Sequence, residues 1–387
     1  MRSGLLSLSL LLYSNMYLKT ITLTGFKNYS GIDFQFTPGI NFLFGPNGSG
    51  KTNLLDAIHY LSTCKSFLVN TDIQNIQAGK SFFFIEGVLE SEPDKSDRLQ
   101  CAVKKGEGKV FRKNKTEYEK LSDHFGFFPS VVISPSDHDL LYGGSAEKRR
   151  FMDSLISVYD KRYLDNLIQY GKVLEQRNAT LKTIRETGIV HADLLDIYDE
   201  QMDELAQYIH ACRVEMADKM IPCFMEMYAA LSGTDELPEM RLKADLACGI
   251  SYSRLLKENR NRDLSLTFTS SGPHKDDLEF YLAGRPAKSA ASQGQQKTFL
   301  TALKLARFIF IKDITGKSPV LLLDDVFDKL DRSRVTNLIT IISKLPFRQV
   351  FITDTEKDRI ESLIGKLKND VGLFEITSNN SLHEETV

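Results

Sequence analysis

Apolar and polar positions alternate over 17–24 (YLKTITLT) and again over 33–36, the period of a half-buried strand. Pro38-Gly39 turns the chain, and Ile40–Phe44 is a short apolar strand that runs straight into a glycine-rich loop. From Thr52 onward the period changes, because Leu54, Leu55, Ile58 and Leu61 fall at helical spacing. Residues 82–134 read as mixed β structure: an apolar strand at 82–89, a hairpin of 99–104 and 109–113 about Gly106-Glu107-Gly108, and a strand at 131–134. Between 145 and 232 the pattern is helical, with Tyr163, Leu167, Tyr170 and Leu174 on one face. A second helical stretch there is expected to kink or break at Pro222. Strands are expected at 263–268 and 277–282, then a helix over 293–313, a strand at 319–323, a helix near 331–344, a strand at 348–353 and a helix near 356–367.

This alternation of helix and strand in the last third predicts an α/β sheet. Its partner strands include the distant one that feeds the glycine-rich loop, so the helical block is an insertion within one split domain. The expected division is an extension at 1–15, one part of the head at 16–144, a helical arm at 145–232, the remainder of the head at 233–377, and a polar, fraying tail at 378–387.

The loop Gly45-Pro46-Asn47-Gly48-Ser49-Gly50-Lys51-Thr52 fits G-x-x-x-x-G-K-[ST], with a strand before it and a helix after it. Glycines let successive N–H groups converge on a phosphate, and the helix points its positive end at the same anion. Lys51 is then the cation for the β- and γ-phosphates and Thr52 the hydroxyl ligand of Mg²⁺, which identifies ATP with Mg²⁺ as the expected ligand. A plain glycine turn would not need the lysine, the hydroxyl and both flanking elements in this order.

The buried run Val320-Leu321-Leu322-Leu323 delivers Asp324 and Asp325 at a strand's carboxyl end, where α/β sheets place ligands. Asp324 is the expected Mg²⁺ partner, and Asp325 the group that polarises an attacking water; the bland alternative is an acidic loop cap. Ser292-Gln293-Gly294-Gln295-Gln296 opens a long helix and forms a second candidate anion site. One nucleotide does not need two such sites in one chain. Two copies facing head-to-tail would use both, each phosphate loop closed by the partner copy's serine turn, so an ATP-dependent homodimer is expected.

Together these segments resemble the ABC-type ATPases of DNA maintenance related to SMC heads, and within that group the bacterial recombination mediators. The resemblance runs from Met16 to Thr377. Besides the three motifs above it rests on Gly25-Phe26-Lys27-Asn28-Tyr29, Asn53-Leu54-Leu55, Ser134-Pro135, Arg149-Arg150-Phe151-Met152-Asp153, Gln176-Arg177-Asn178 and Gly272-Pro273-His274-Lys275-Asp276-Asp277. It implies an ABC/SMC-like P-loop ATPase head with a β-rich lobe and an inserted helical subdomain. It further implies an ATP-gated dimer that binds duplex DNA and single-strand gaps, acts with RecR and RecO, and serves gap repair, replication and the SOS response in the cytoplasm.

The chain departs from the family pattern in four places. Ser136 stands where an acid usually follows Ser-Pro, and Lys329 takes an acidic position. The strand at 348–352 ends in Thr353-Asp354, with no histidine where transporter-type ATPases carry one, and Asp325 replaces the glutamate of those enzymes. A carboxylate one methylene shorter implies slow hydrolysis.

Composition adds little. The 387 residues carry a net charge of −2, so DNA binding requires local basic patches. The candidates are Lys104, Lys105, Lys109, Arg112, Lys113 and Lys115 in the hairpin, and Lys148, Arg149 and Arg150, each of which could equally be a solvated or ion-paired face. Lys27 and Asn28 are candidates for phosphate or base contact, and His274 for nucleotide contact, the dimer face or a plain turn. Five scattered cysteines without a CxxC pair point to a reduced compartment and no zinc site. No apolar run reaches the roughly 20 residues of a membrane span. The leucine-rich start, 1–15, is read as an upstream false start or disordered extension rather than a signal peptide. The rival functions are a transporter's nucleotide-binding subunit, a non-catalytic ATP-dependent DNA clamp, and a free SMC head.

Overall fold

The computed structural model describes residues 16–92, 95–189, 192–234, 236–246, 249–327, 332–345, 347–365, 367, 370–377 and 382–385. The expectations for the extension 1–15 and for Lys329 lie outside these residues. The chain divides into two compact units. The first holds 16–138, 226–235 and 292–387, and the second holds 139–225 and 236–291.

The first unit is built on two six-stranded sheets. Strands β1 (Tyr17–Phe26), β2 (Tyr29–Gln35), β4 (Phe82–Glu92), β5 (Lys95–Lys104), β6 (Gly108–Lys113) and β7 (Thr116–Glu117) form an antiparallel sheet in the order β2-β1-β4-β5-β6-β7. Strands β3 (Gly39–Phe44), β8 (Ser130–Ile133), β12 (Val320–Leu323), β13 (Gln349–Asp354), β14 (Val371–Ile376) and β15 (Leu382–Glu385) form the other, ordered β15-β14-β3-β13-β12-β8. All its pairs are parallel except β14–β15. The tail expected to fray therefore supplies an edge strand at 382–385, because β14 would otherwise leave an unpaired edge.

Helix α1 (Lys51–Thr63) contributes to one core with both sheets. Its Leu54, Leu55, Ala57, Ile58, Tyr60 and Leu61 are fully buried, the pattern of a helix covered on nearly every side. Gln349 ties the sheets together: its amide donates to the carbonyls of Leu18 and Thr37 at 2.9 and 3.1 Å and accepts the Leu18 N–H at 2.8 Å.

The second unit contains helices α2 (Ser145–Ile156), α3 (Lys161–Thr187), α5 (Tyr252–Glu258) and α6 (Arg260–Leu266). It also holds a small sheet of β9 (Pro238–Lys243), β10 (Asp277–Leu282) and β11 (Arg285–Pro286) in the order β11-β10-β9. Helix α4 (Ala192–Ser232) runs through Pro222 as one helix, so of the kink or break expected there the break does not occur, and its residues from Glu226 onward belong to the first unit. Two further expectations are corrected here. The strand expected at 263–268 is helix α6 followed by a turn. Its alternating Leu266 and Phe268 are exposed while Asp263 is buried, so the alternation marks no buried face. Residues 236–291, expected within the head, group with the arm.

Buried charge explains that grouping. Arg177 is 0% exposed; its guanidinium donates to Asp199 at 2.7 Å, Asp263 at 2.8 Å and the Thr269 hydroxyl at 2.8 Å. Arg213 donates to Asp153 at 2.8 Å, Asp276 at 2.7 Å and the Pro273 carbonyl at 2.6 Å. The Asn178 carboxamide accepts the Thr269 N–H at 2.7 Å. The segments around Arg177 and Asp276 that made the sequence distinctive are thus the polar interior of this unit. Arg177→Met should lower stability by about 3–5 kcal/mol, because it leaves Asp263 buried without its cation. Urea unfolding checks this, and a midpoint equal to wild type would show that the network contributes no net stability.

Candidate nucleotide site

Three neighbouring strands of the parallel sheet, β3, β13 and β12, end on one edge. They deliver Gly45, Asp354 and Asp324-Asp325 respectively. That is where an open α/β sheet holds a ligand.

The loop after β3 has positive φ at Gly45 (146°), Gly48 (81°) and Gly50 (112°). A Cβ at Gly45 would lie 2.2 Å from the Ile376 carbonyl oxygen, and one at Gly50 would lie 2.5 Å from Asn28 Nδ2 and 2.7 Å from the Tyr29 hydroxyl. Nothing lies within 4 Å of the corresponding point at Gly48, so its conformation alone requires glycine. Gly50 caps α1, which begins at Lys51. Ser49 Oγ is buried without a hydrogen-bond partner, a polar atom suited to a ligand's oxygens.

Lys51 is buried. Its ammonium donates to the Gly45 and Pro46 carbonyls at 2.8 and 3.0 Å, which hold it over the loop. Burial lowers its pKa, and the charges of Asp325, Asp324 and Asp354 oppose that shift. The Thr52 hydroxyl donates to Asp324 Oδ1 at 2.9 Å, joining the two expected magnesium ligands across 272 residues. Burial raises the Asp324 pKa, countered by hydrogen bonds from Thr353 and Thr52. Asp325 has a φ of 45°, uncommon for any residue with a side chain.

Two residue groups at this site were missed or misread in sequence. Asn28 and Tyr29 brace the loop: Asn28 Nδ2 donates to the Ser49 carbonyl at 3.4 Å, the Tyr29 hydroxyl donates to the Gly50 carbonyl at 3.0 Å, and Asn53 Nδ2 donates to Asn28 Oδ1 at 2.7 Å. Lys27, expected near phosphate or base, pairs with buried Asp56 at 2.5 Å. Thr353, noted only as lacking histidine's imidazole, bonds to both acids: its hydroxyl donates to Asp324 Oδ1 and accepts the Asp325 N–H, each at 2.9 Å.

The serine turn opens helix α7 (Gln293–Thr315) as a capping box. The Ser292 N–H donates to Gln295 Oε1 at 2.7 Å, and the Gln295 N–H donates to Ser292 Oγ at 3.3 Å. Ser292 and Gln293 are exposed, and Gly294 and Gln295 half-buried. Further along α7, Lys304 pairs with Asp137 at 2.6 Å and Lys297 donates to the Asp325 carbonyl at 3.4 Å. Asp137 also accepts the Ser134 N–H at 2.8 Å, so the departure at Ser136 leaves an acid in this turn.

Several basic candidates are engaged internally. Lys109 pairs with Asp72 at 2.8 Å and Lys113 with Asp97 at 3.4 Å, the latter 3.6 Å from the Phe127 ring centre. Lys104 and Arg112 pair with Glu107 and Glu117. Lys105 and Lys115 are exposed and make no ion pair with the described residues. Lys148 pairs with Asp277, Arg149 donates to the Asp276 carbonyl, and exposed Arg150 pairs with Glu147. His274 is a half-buried turn histidine between Tyr170 and the Thr269 carbonyl, with its pKa pushed down to about 4 by desolvation. Among the described residues, no helix is long and apolar enough to cross a membrane.

In sequence and fold the chain is similar to known proteins along nearly its whole length. The family model described as the RecF/RecN/SMC N terminal domain matches residues 17–375. The DNA replication and repair protein RecF of Flavobacterium johnsoniae is 43% identical over 361 residues, covering 93% of this chain and 100% of that protein. RecF of Bacteroides fragilis strain YCH46 is 40% identical over 372 residues, covering 96% and 100%. A solved structure of the recombination mediator protein RecF with ATP, from the RecFOR pathway, superposes with a TM-score of 0.86 at 30% identity, covering 97% of this chain and 99% of that one. The Smc head domain of Pyrococcus furiosus shares the fold at a TM-score of 0.57 and 16% identity, covering 96% of each chain. The chain belongs to the RecF family of DNA replication and repair proteins.

Proposed function

We propose that this chain is an ATP-dependent DNA-binding protein of recombinational gap repair, replication and the SOS response, a cytoplasmic ATP-gated dimer with slow hydrolysis. The observation that carries the reading is the convergence of the glycine loop, Lys51, Thr52 and Asp324 at one sheet edge, in a family with an ATP-bound structure. Neither a transporter subunit nor a free SMC head is favoured, since the high identities are to RecF proteins.

The loop's N–H groups and the start of α1 receive the phosphates, and Lys51 neutralises the β- and γ-oxygens. Thr52 and Asp324 are hard oxygen donors within hydrogen-bond distance of each other, and their chemistry fits Mg²⁺, which takes one or two protein ligands and completes its shell with water and phosphate. When bound, that ion would withdraw charge from the phosphate oxygens. Asp325 is the group assigned to orient and polarise the attacking water. Its shorter side chain supports the slow hydrolysis proposed. Ser292, Gln293, Gly294 and Gln295 are assigned to the partner copy's nucleotide. DNA, RecR and RecO are the proposed macromolecular partners. Lys105 and Lys115 are the hairpin cations left open to phosphate.

Ser292→Arg should leave ATP binding by the monomer unchanged yet prevent ATP-dependent dimerisation, because a guanidinium would fill the space assigned to the partner's γ-phosphate. Ser292→Ala separates this from loss of the helix cap, which costs about 1 kcal/mol. Sedimentation velocity with ATP and with ADP reads the dimer directly, and an arginine variant that still dimerises would remove the shared site. In parallel, fluorescence anisotropy on gapped and intact duplexes, titrated over salt, should show tighter and more salt-sensitive binding with ATP, since a closed dimer presents each basic patch twice. Equal affinity and slope with ATP and ADP would overturn the gated clamp and leave the ATP site standing.

A further inference from the structure

We infer that Thr353 is a positioning residue of the nucleotide site, setting the metal-binding and water-polarising acids together through one hydroxyl. The inference rests on the ATPase reading above. Register comes first: Leu323 pairs with Ile352 across β12 and β13, so the next residue on each strand is Asp324 beside Thr353. The sheet therefore places the hydroxyl beside the first acid without help from any loop.

Burial comes second. All six residues of β13 are buried, and Thr353 is 0% exposed. A valine of the same shape would suit such a strand better, because a buried hydroxyl is unfavourable unless both its functions are satisfied. Here they are. Its proton goes to Asp324 Oδ1 and a lone pair receives the Asp325 N–H, each at 2.9 Å.

The two bonds have different consequences. Asp324 Oδ1 accepts from Thr52 as well, also at 2.9 Å, so two hydroxyl protons orient this carboxylate, and because Thr52 donates, the lone pairs of its own hydroxyl oxygen stay free for a cation. The bond to Asp325 fixes a backbone at φ 45°, an unfavourable conformation for a residue with a Cβ, and so sets the direction in which its carboxylate leaves the strand. In this chain the threonine acts on the acids rather than on the nucleotide itself.

The test uses full-length Thr353→Val and Thr353→Ser. Thr353→Val should lower ATP turnover roughly ten- to a hundredfold, the effect of leaving a buried N–H without its acceptor and a carboxylate without its donor. The Mg²⁺ concentration needed for half-maximal ATP affinity should rise, while ATP affinity in EDTA stays near wild type and the thermal midpoint falls by only a few degrees, the size expected for two buried groups left unpaired. Thr353→Ser, which keeps the hydroxyl, should restore both turnover and Mg²⁺ requirement. If the valine form fails to fold, Thr353→Cys, similar in size with a weak donor and acceptor, is read in its place. Unchanged turnover and Mg²⁺ requirement in the valine form would overturn the inference. So would loss of affinity in EDTA in step with turnover, or a serine form as impaired as valine. A wild-type chain that binds no Mg²⁺·ATP would instead overturn the ATPase reading. One that binds without measurable turnover leaves the Mg²⁺ requirement to decide.

Discussion

Lys51→Ala should lower ATP affinity by roughly two to three orders of magnitude, the usual result of deleting one partner of a desolvated, hydrogen-bonded charge pair. The size of the effect follows from where the ammonium sits. It is buried, held over the loop by the Gly45 and Pro46 carbonyls, and close enough to Asp324, Asp325 and Asp354 to feel all three charges. Without it, the charges of Asp324 and Asp325 would oppose the incoming phosphates with no lysine to offset them, while Asp354 keeps its pair with Arg359 at 3.2 Å. Folding should be less affected, by about 1–2 kcal/mol, because two hydrogen bonds and one buried charge disappear together. Isothermal titration with a non-hydrolysable ATP analogue, beside a thermal melt, separates the two quantities. An alanine variant that binds within threefold of wild type, a threshold of about 0.65 kcal/mol, would mean that the loop's N–H groups suffice and Lys51 has another role.

Asp325→Asn is expected to retain ATP and accumulate an ATP-bound dimer, with hydrolysis lowered roughly a hundred- to a thousandfold by loss of the group proposed to polarise water. Asparagine is well chosen for this position. It keeps the side chain's size and, with aspartate, is among the few residues that tolerate a backbone at φ 45°, so the strand end and its bond to Thr353 remain. A leucine or glutamate there would confound lost chemistry with lost geometry. Single-turnover phosphate release, measured with ATP saturating, reads the step directly. Wild-type hydrolysis by Asp325→Asn would reassign the water to another residue without disturbing the magnesium role proposed for Thr52 and Asp324.

Local chemistry is what reads well along the chain. The phosphate loop is legible because its glycines, lysine and hydroxyl act within eight consecutive residues, and Gly45, Gly48 and Gly50 each adopt the positive φ that such a loop demands. The strand 320–323 is legible because a wholly buried parallel strand is a continuous apolar run, and its acids follow at once. The helix after Ser292 is legible because a capping box is written in four residues.

Alternation misleads where burial does not follow it, as at 263–268, where Asp263 is interior and Leu266 and Phe268 are not. Runs of lysine mislead for a similar reason: Lys109 pairs with Asp72, an acid that no spacing rule connects to it, and Lys113 with Asp97, two places from its cross-strand partner Leu99.

By itself, then, the sequence determines the phosphate loop, the acid pair, the serine turn and the α/β order of the last third, since each depends on periodicity or on neighbours a few residues away. The tertiary structure alone decides that Thr52 meets Asp324 across 272 residues and that Thr353 holds both acids. It alone decides that Asn28 and Tyr29 brace the loop and that residues 236–291 join the arm through the counter-ions of Arg177 and Arg213. The physical reason is that a buried hydroxyl, amide or charge must find its complement wherever the fold brings one, and strand pairing at long range, not spacing along the chain, settles which group that is.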